Sequence, residues 1–98
     1  MTIVVAEFSV TPLVAGTIKP YIDSAISEID RAGLKKEVGP ASTTVEGDLD
    51  QVMMAIKNAH QAVLNKGADR VVTEIRIDEK KGGLTMRDEL EGYRKLND

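Results

Sequence analysis

The chain has 98 residues, with 13 Lys and Arg against 16 Asp and Glu and a net charge of −3. It is therefore read as one domain, without the basic block that nucleic-acid binding by counterion release requires. It contains no cysteine, which excludes a disulfide framework, a thiolate zinc site, an iron–sulfur cluster and a cysteine nucleophile together. A single histidine excludes a multi-histidine metal centre within one chain, and no apolar run approaches the roughly 20 residues that span a bilayer.

These features, and a start without a basic region leading into a signal sequence, predict a soluble cytoplasmic protein with no membrane partner. Residues 2–12 alternate, with Val4, Ala6, Phe8 and Val10 on one face and Ile3, Val5, Glu7 and Ser9 on the other, which predicts a strand. After a loop at 13–16, Ile18, Ile22, Ala25, Ile26 and Ile29 recur at helical spacing. Thr17 stands at the N-cap position, Pro20 in the first turn and Gly33 at the stop. Residues 34–38 read as a short strand, Gly39 and Pro40 interrupt it, and residues 41–46 resume as its hairpin partner.

Asp48 with Gln51 has capping-box spacing and opens a second helix. Its apolar stripe of Leu49, Val52, Met53, Ile56, Ala59 and Val63 runs up to Gly67, with Met53 and Met54 expected as core and its border. Alternation returns over 69–78, where Val71, Thr73, Ile75 and Ile77 oppose Val72, Glu74 and Arg76. Beyond a glycine-containing break at 80–83, Thr85 and Asp88 are placed to cap a short helix that aligns Met86, Leu90 and Tyr93.

The order strand, helix, strand, strand, helix, strand predicts an α+β, ferredoxin-like β-α-β-β-α-β sandwich. It has a four-stranded antiparallel sheet with helices on one face, formed by residues 1–79, and a C-terminal extension over 80–98 with a short helix. The first and third strands then lie side by side in the middle. The parity that sends Val4, Ala6, Phe8, Val10, Thr43, Val45, Val71, Thr73 and Ile75 toward the helices sends Ile3, Val5, Glu7, Ser9, Ser42, Thr44, Glu46, Val72, Glu74 and Arg76 to the open side. Aliphatics mixed with carboxylates and hydroxyls point to self-association through that face beside a polar recess. Glu7 and Ser9 on one central strand, and Thr44 and Glu46 on the next, fall within cross-strand reach. A carboxylate there can accept hydrogen bonds from an amino-substituted heterocycle, and hydroxyls can serve ring nitrogens or an alcohol tail. The same carboxylates could equally pair with Arg76 or with lysines of a neighbouring copy.

Other residues carry weaker signals. His60, at the edge of the second helix's apolar face, fits a hydrogen-bonded core histidine better than a catalytic base. Glu46, Asp48 and Asp50 imitate the start of a calcium loop without its later ligands, and the glycines form no phosphate-binding loop.

The segments running from Ala6 to Pro12, Gly39-Pro40 leading to Thr44-Val45-Glu46-Gly47, Ala59-His60-Gln61-Ala62-Val63, and Gly67-Ala68-Asp69-Arg70-Val71 running into Ile75-Arg76-Ile77-Asp78 together resemble the small thiamine-binding proteins of the YkoF-like family, over nearly the whole chain. The resemblance implies a ferredoxin-like fold, dimers joined sheet edge to sheet edge, and a homotetramer of those dimers. It also implies non-catalytic binding of thiamine or its hydroxymethylpyrimidine moiety, for carriage or sequestration, with no cofactor beyond that ligand. Carried over position by position, it implies ligand contacts at Glu7, Ser9, Thr44, Glu46 and His60. The stretch Glu79-Lys80-Lys81-Gly82-Gly83 departs from the family pattern, so no contact is carried over there. Two other classes of function compete: a regulatory or structural ferredoxin-like oligomerisation module sensing another small molecule or a protein, and an enzyme using Glu7 or Glu46 with His60. Against the enzyme, no oriented nucleophile is identifiable in the sequence.

Overall fold

The computed structural model describes residues 2–39 and 41–97, with side chains to residue 91. Pro40 of the expected hairpin break, and the Tyr93 side chain of the expected tail stripe, lie outside the described residues. The long alternating run forms strand β1 (Ile3–Pro12), followed by helix α1 (Lys19–Arg31), the hairpin strands β2 (Lys35–Val38) and β3 (Thr43–Asp48), helix α2 (Leu49–Asn65), strand β4 (Val71–Asp78) and helix α3 (Met86–Asn97). The four strands make one antiparallel sheet in the order β2-β3-β1-β4, with α1 and α2 packed on one face: an α+β ferredoxin-like fold. Among the described residues no helix is long and apolar enough to cross a membrane.

The pairing register confirms the predicted sorting of side chains. Ala6 sits opposite Val45 and Ile77, and Phe8 opposite Thr43 and Ile75, all on the helix side. Val5 sits opposite Glu46 and Asp78, and Glu7 opposite Thr44 and Arg76, all on the other face. The core is the helix-side set Val4, Ala6, Phe8, Val10 and Val45 against Ala25 and Ile29 of α1 and Val52, Ala55, Ile56, Ala59 and Val63 of α2. Each fully buried Val or Ile contributes about 1.5–3 kcal/mol by leaving water.

Several local expectations are corrected. Ile18, not Thr17, occupies the N-cap of α1. Its carbonyl accepts the N–H groups of Tyr21 and Ile22 at 3.0 and 3.1 Å, while the Thr17 hydroxyl reaches only the Lys19 N–H, at 3.4 Å. Asp48 is the N-cap of α2, but its side chain makes no capping hydrogen bond, so the box with Gln51 does not form. Asp48 is still the last residue of β3 and pairs with Ile3, and the strand parity carries its side chain to the face away from α2. Leu49 and Met53 lie on the exposed rim of α2 and Met54 is exposed outright, because the two helices cover the central strands and, among the described residues, no element packs on their outer flanks. Ile75, on the edge strand, is 42% exposed for the same reason.

The larger correction concerns the sheet's second face, which is not fully open. The chain leaves β4, reverses at Gly82 and Gly83, whose φ angles of +95° and +106° are the left-handed values that favour glycine, and returns across this face. The Leu84 N–H donates to the Ile3 carbonyl at 2.9 Å, and α3 then runs against β3. Val5, on the outward side of β1, is consequently only 5% exposed. Thr85 and Asp88 do form the expected reciprocal cap of α3. The Thr85 N–H donates to the Asp88 carboxylate at 3.1 Å, and the Asp88 N–H donates to the Thr85 hydroxyl at 3.2 Å.

Candidate functional site

Glu7 stands at the middle of β1 on the outward face, with Thr44 of β3 on one side and Arg76 of β4 on the other. Both carboxylate oxygens are engaged. The Ser42 hydroxyl, just before β3, donates to Oε2 at 3.1 Å, and Nη1 of Arg76 donates to Oε1 at 3.4 Å. With its guanidinium largely in solvent, the Glu7–Arg76 pair holds with at most about 1 kcal/mol and is easily displaced. The ion pairing with Arg76 weighed from the sequence is therefore present, yet it leaves Glu7 available to a better donor.

Two recesses flank this pair. The first, of about 180 Å³, lies under α3 and is lined by Val5, Glu7, Glu37, Thr44, Arg76, Asp78, Met86, Glu89 and Leu90. Four of these side chains are carboxylates and one is a guanidinium, so the recess favours a positively charged guest. The second, of about 350 Å³, is lined by Glu7, Ser9, Ala41, Ser42, Glu74 and Arg76 with Phe8 and Ile75. Glu7 and Arg76 line both and form the partition between them. Among the described residues no three His, Cys, Asp or Glu side chains are arranged to hold a metal ion.

On the α3 side of the first recess the Glu89 carboxyl is held above the ordinary carboxylate value. Its hydrogen bond with Asp78 has the largest effect, then burial, then the charge of Asp78, while Arg76 opposes.

The five residues singled out from the sequence thus separate. Glu7 and Thr44 meet in the first recess, and Ser9 joins Glu7 in the second. Glu46 stands at the border, its Oε1 accepting the Met86 N–H at 3.0 Å, so it serves the start of α3. His60 lies on the far side of the sheet, where Nδ1 shares a 2.6 Å hydrogen bond with Oγ1 of Thr73, a helix-side position paired with Val10. Sequence reasoning put Ser42 and Arg76 on this face, Arg76 only as an ion-pair partner for the carboxylates, and missed Glu37, Asp78 and Glu89. The parity of β4 was a usable signal for Asp78, which continues the outward series of Glu74 and Arg76. No comparable signal existed for Glu89, whose place depends on where α3 docks.

Comparison with known proteins agrees with this architecture. Residues 6–94 match the family described as thiamine-binding protein. The UPF0045 protein MJ1052 of Methanocaldococcus jannaschii is 44% identical over 79 residues, 80% of this chain and 78% of that protein. The UPF0045 protein CPE1503 of Clostridium perfringens is 40% identical over 73 residues, 74% and 77% of the respective chains. The crystal structure of MJ1052 superposes with a TM-score of 0.89 at 40% identity, covering 98% of this chain and 100% of that one. A Thermotoga maritima protein with a proposed role in thiamine biosynthesis or salvage superposes with a TM-score of 0.83 at 35% identity, covering 94% of this chain and 99% of that one. With the fold, the matched span and these relatives in agreement, the chain belongs to the thiamine-binding protein family.

Proposed function

We propose that the protein binds thiamine or its hydroxymethylpyrimidine moiety reversibly, without chemical turnover, as a carrier or sequestering agent in the cytoplasm. The observation that carries this reading is the Glu7 carboxylate, displaceable from Arg76 and shared by two recesses of which one is rich in carboxylates. A carboxylate accepts the amino N–H of a pyrimidine in a charge-assisted hydrogen bond, and an acidic surround balances a thiazolium charge. Ser9 and Thr44 offer hydroxyls on the two sides of Glu7, and Glu46 borders the site. A role for His60 would require the ligand's effect to pass through the sheet, since its ring faces Thr73.

The direct test is thermal unfolding with and without thiamine. Ligand at a hundred times its dissociation constant stabilises by about 2.7 kcal/mol, which for a chain of this length raises the midpoint by about 10 °C or more. No shift at millimolar thiamine or hydroxymethylpyrimidine would remove the ligand assignment.

Assembly into a homotetramer is part of the same proposal. β2 is short and bears Lys35 and Lys36, features that blunt an edge, whereas β4 presents eight residues with Ile75 and Ile77 exposed. Antiparallel pairing of β4 with a second copy about Ile75 sets Glu74 opposite Arg76 of the partner subunit, a self-complementary register. Ile3 and Val72, still exposed on the outward face, offer apolar surface for joining two such dimers. Light scattering at micromolar concentration should give a multiple of the 10.6 kDa chain mass, and Glu74→Lys should shift it toward the monomer. A monomeric wild type would defeat the proposed assembly.

A further inference from the structure

Helix α3 is attached to the sheet differently from every other element. α1 and α2 each bury side chains completely, whereas α3 buries none completely among the described residues and sets only Met86, Glu89 and Leu90 half-buried over the outward face. Its start is anchored to the sheet by two hydrogen bonds, from the Met86 N–H to the Glu46 carboxylate on β3 and, just upstream, from the Leu84 N–H to the Ile3 carbonyl on β1. Its first turn is meanwhile self-sufficient, because Thr85 and Asp88 cap each other whether or not the sheet lies beneath. The chain entering it passes through Gly82 and Gly83, both at positive φ. A segment with few buried apolar side chains among its described residues, its own cap and a glycine joint opens at lower free energy than the core.

We propose that α3 is a strap that lifts from the sheet as a unit, turning at Gly82 and Gly83 and letting go of Glu46 and of the Ile3 carbonyl that accepts the Leu84 N–H, and that the recess beneath it exchanges its contents with solvent while the strap is raised. The use of this motion rests on the reading of that recess as a ligand site; the motion itself does not.

The groups meeting under the strap tie its closure to acidity. Glu89 faces Asp78 and Arg76 of β4 and Glu7 of β1; Glu37 of β2 lines the same recess and Glu46 of β3 holds the strap's start. A hydrogen bond between the carboxyls of Asp78 and Glu89 needs a proton, and Glu89 is held above its ordinary value in the closed state. Its contribution to closure is therefore complete below the unfolded carboxyl value and is lost as pH rises through the raised one. Once ionised, Glu89 faces Asp78 and Glu7 with only Arg76 in opposition. The strap is therefore tightest in acid and loosest near neutrality.

Hydrogen exchange read by mass spectrometry on the full chain without ligand, corrected for intrinsic rates, tests this. The amides of α3 should exchange as one block ahead of α1, α2 and the sheet, and be several-fold less protected at about pH 7.5 than at about pH 5. Glu46→Ala should lower α3 protection by about tenfold at both pH values, with the sheet unchanged. Glu89→Gln, whose amide donates to Asp78 without titrating, should hold the acid level of protection throughout. Protection of α3 equal to that of α2, no effect of Glu46→Ala, or a pH difference that survives Glu89→Gln would each overturn the proposal. Because no ligand is present, such a failure leaves the thiamine titrations standing, and a failed titration leaves the exchange result standing.

Discussion

Replacing Ile29 with Ala is expected to cost the fold about 2–5 kcal/mol, a large share of the stability of a domain this small. Ile29 has no exposed surface and is the largest side chain that α1 buries, with Ala25 beside it and Tyr21 only partly buried against the same core. Removing its outer carbons leaves a cavity that a well-packed interior closes only in part. The same replacement at Ile18, 46% exposed on the same predicted stripe, should cost well under half as much. Urea unfolding of the two variants checks both numbers, and a midpoint for Ile29→Ala within error of the wild type would show that α1 is held by something else.

The second large effect is on binding. Glu7→Gln should weaken thiamine binding by about 10- to 100-fold, since a charge-assisted hydrogen bond contributes about 1.5–3 kcal/mol. Stability should move by no more than about 1 kcal/mol, because the bond given up in the free protein is the exposed one to Arg76. Glu46→Gln should weaken binding less, since one of its oxygens is committed to the Met86 N–H. Isothermal titration separates these outcomes, and an affinity for Glu7→Gln equal to that of the wild type would detach the site from this carboxylate.

Much of the fold was legible because it is written in local periodicity. The alternation of β1 and β4 fixed which side chains share a face, and the register bears that sorting out residue by residue. The ends of elements were less legible, for a physical reason. A cap depends on the direction in which the neighbouring chain leaves, and Asp48 looks like a capping residue until it is seen to be still paired in a strand. The site was legible in half. Parity alone put Glu7, Ser9, Thr44 and Glu46 on one face. The contacts that define their chemistry join residues 35 and 69 positions apart, Ser42 and Arg76 with Glu7, and separations of that size become readable only after the topology is known. The tail was the least legible part. Met86 and Leu90 announced an apolar stripe, but nothing local said that it would settle on the face expected to be bare. That docking alone explains why Val5 is buried and why Glu89 meets Asp78.

The shared wall of Glu7 and Arg76 has one more implication. A fragment small enough for a single chamber must break that ion pair to reach the carboxylate, and a different fragment in the adjoining chamber must do the same. A guest whose two rings are tethered breaks it once and brings the second ring at high effective concentration, so the whole molecule should hold on more firmly than its separated halves.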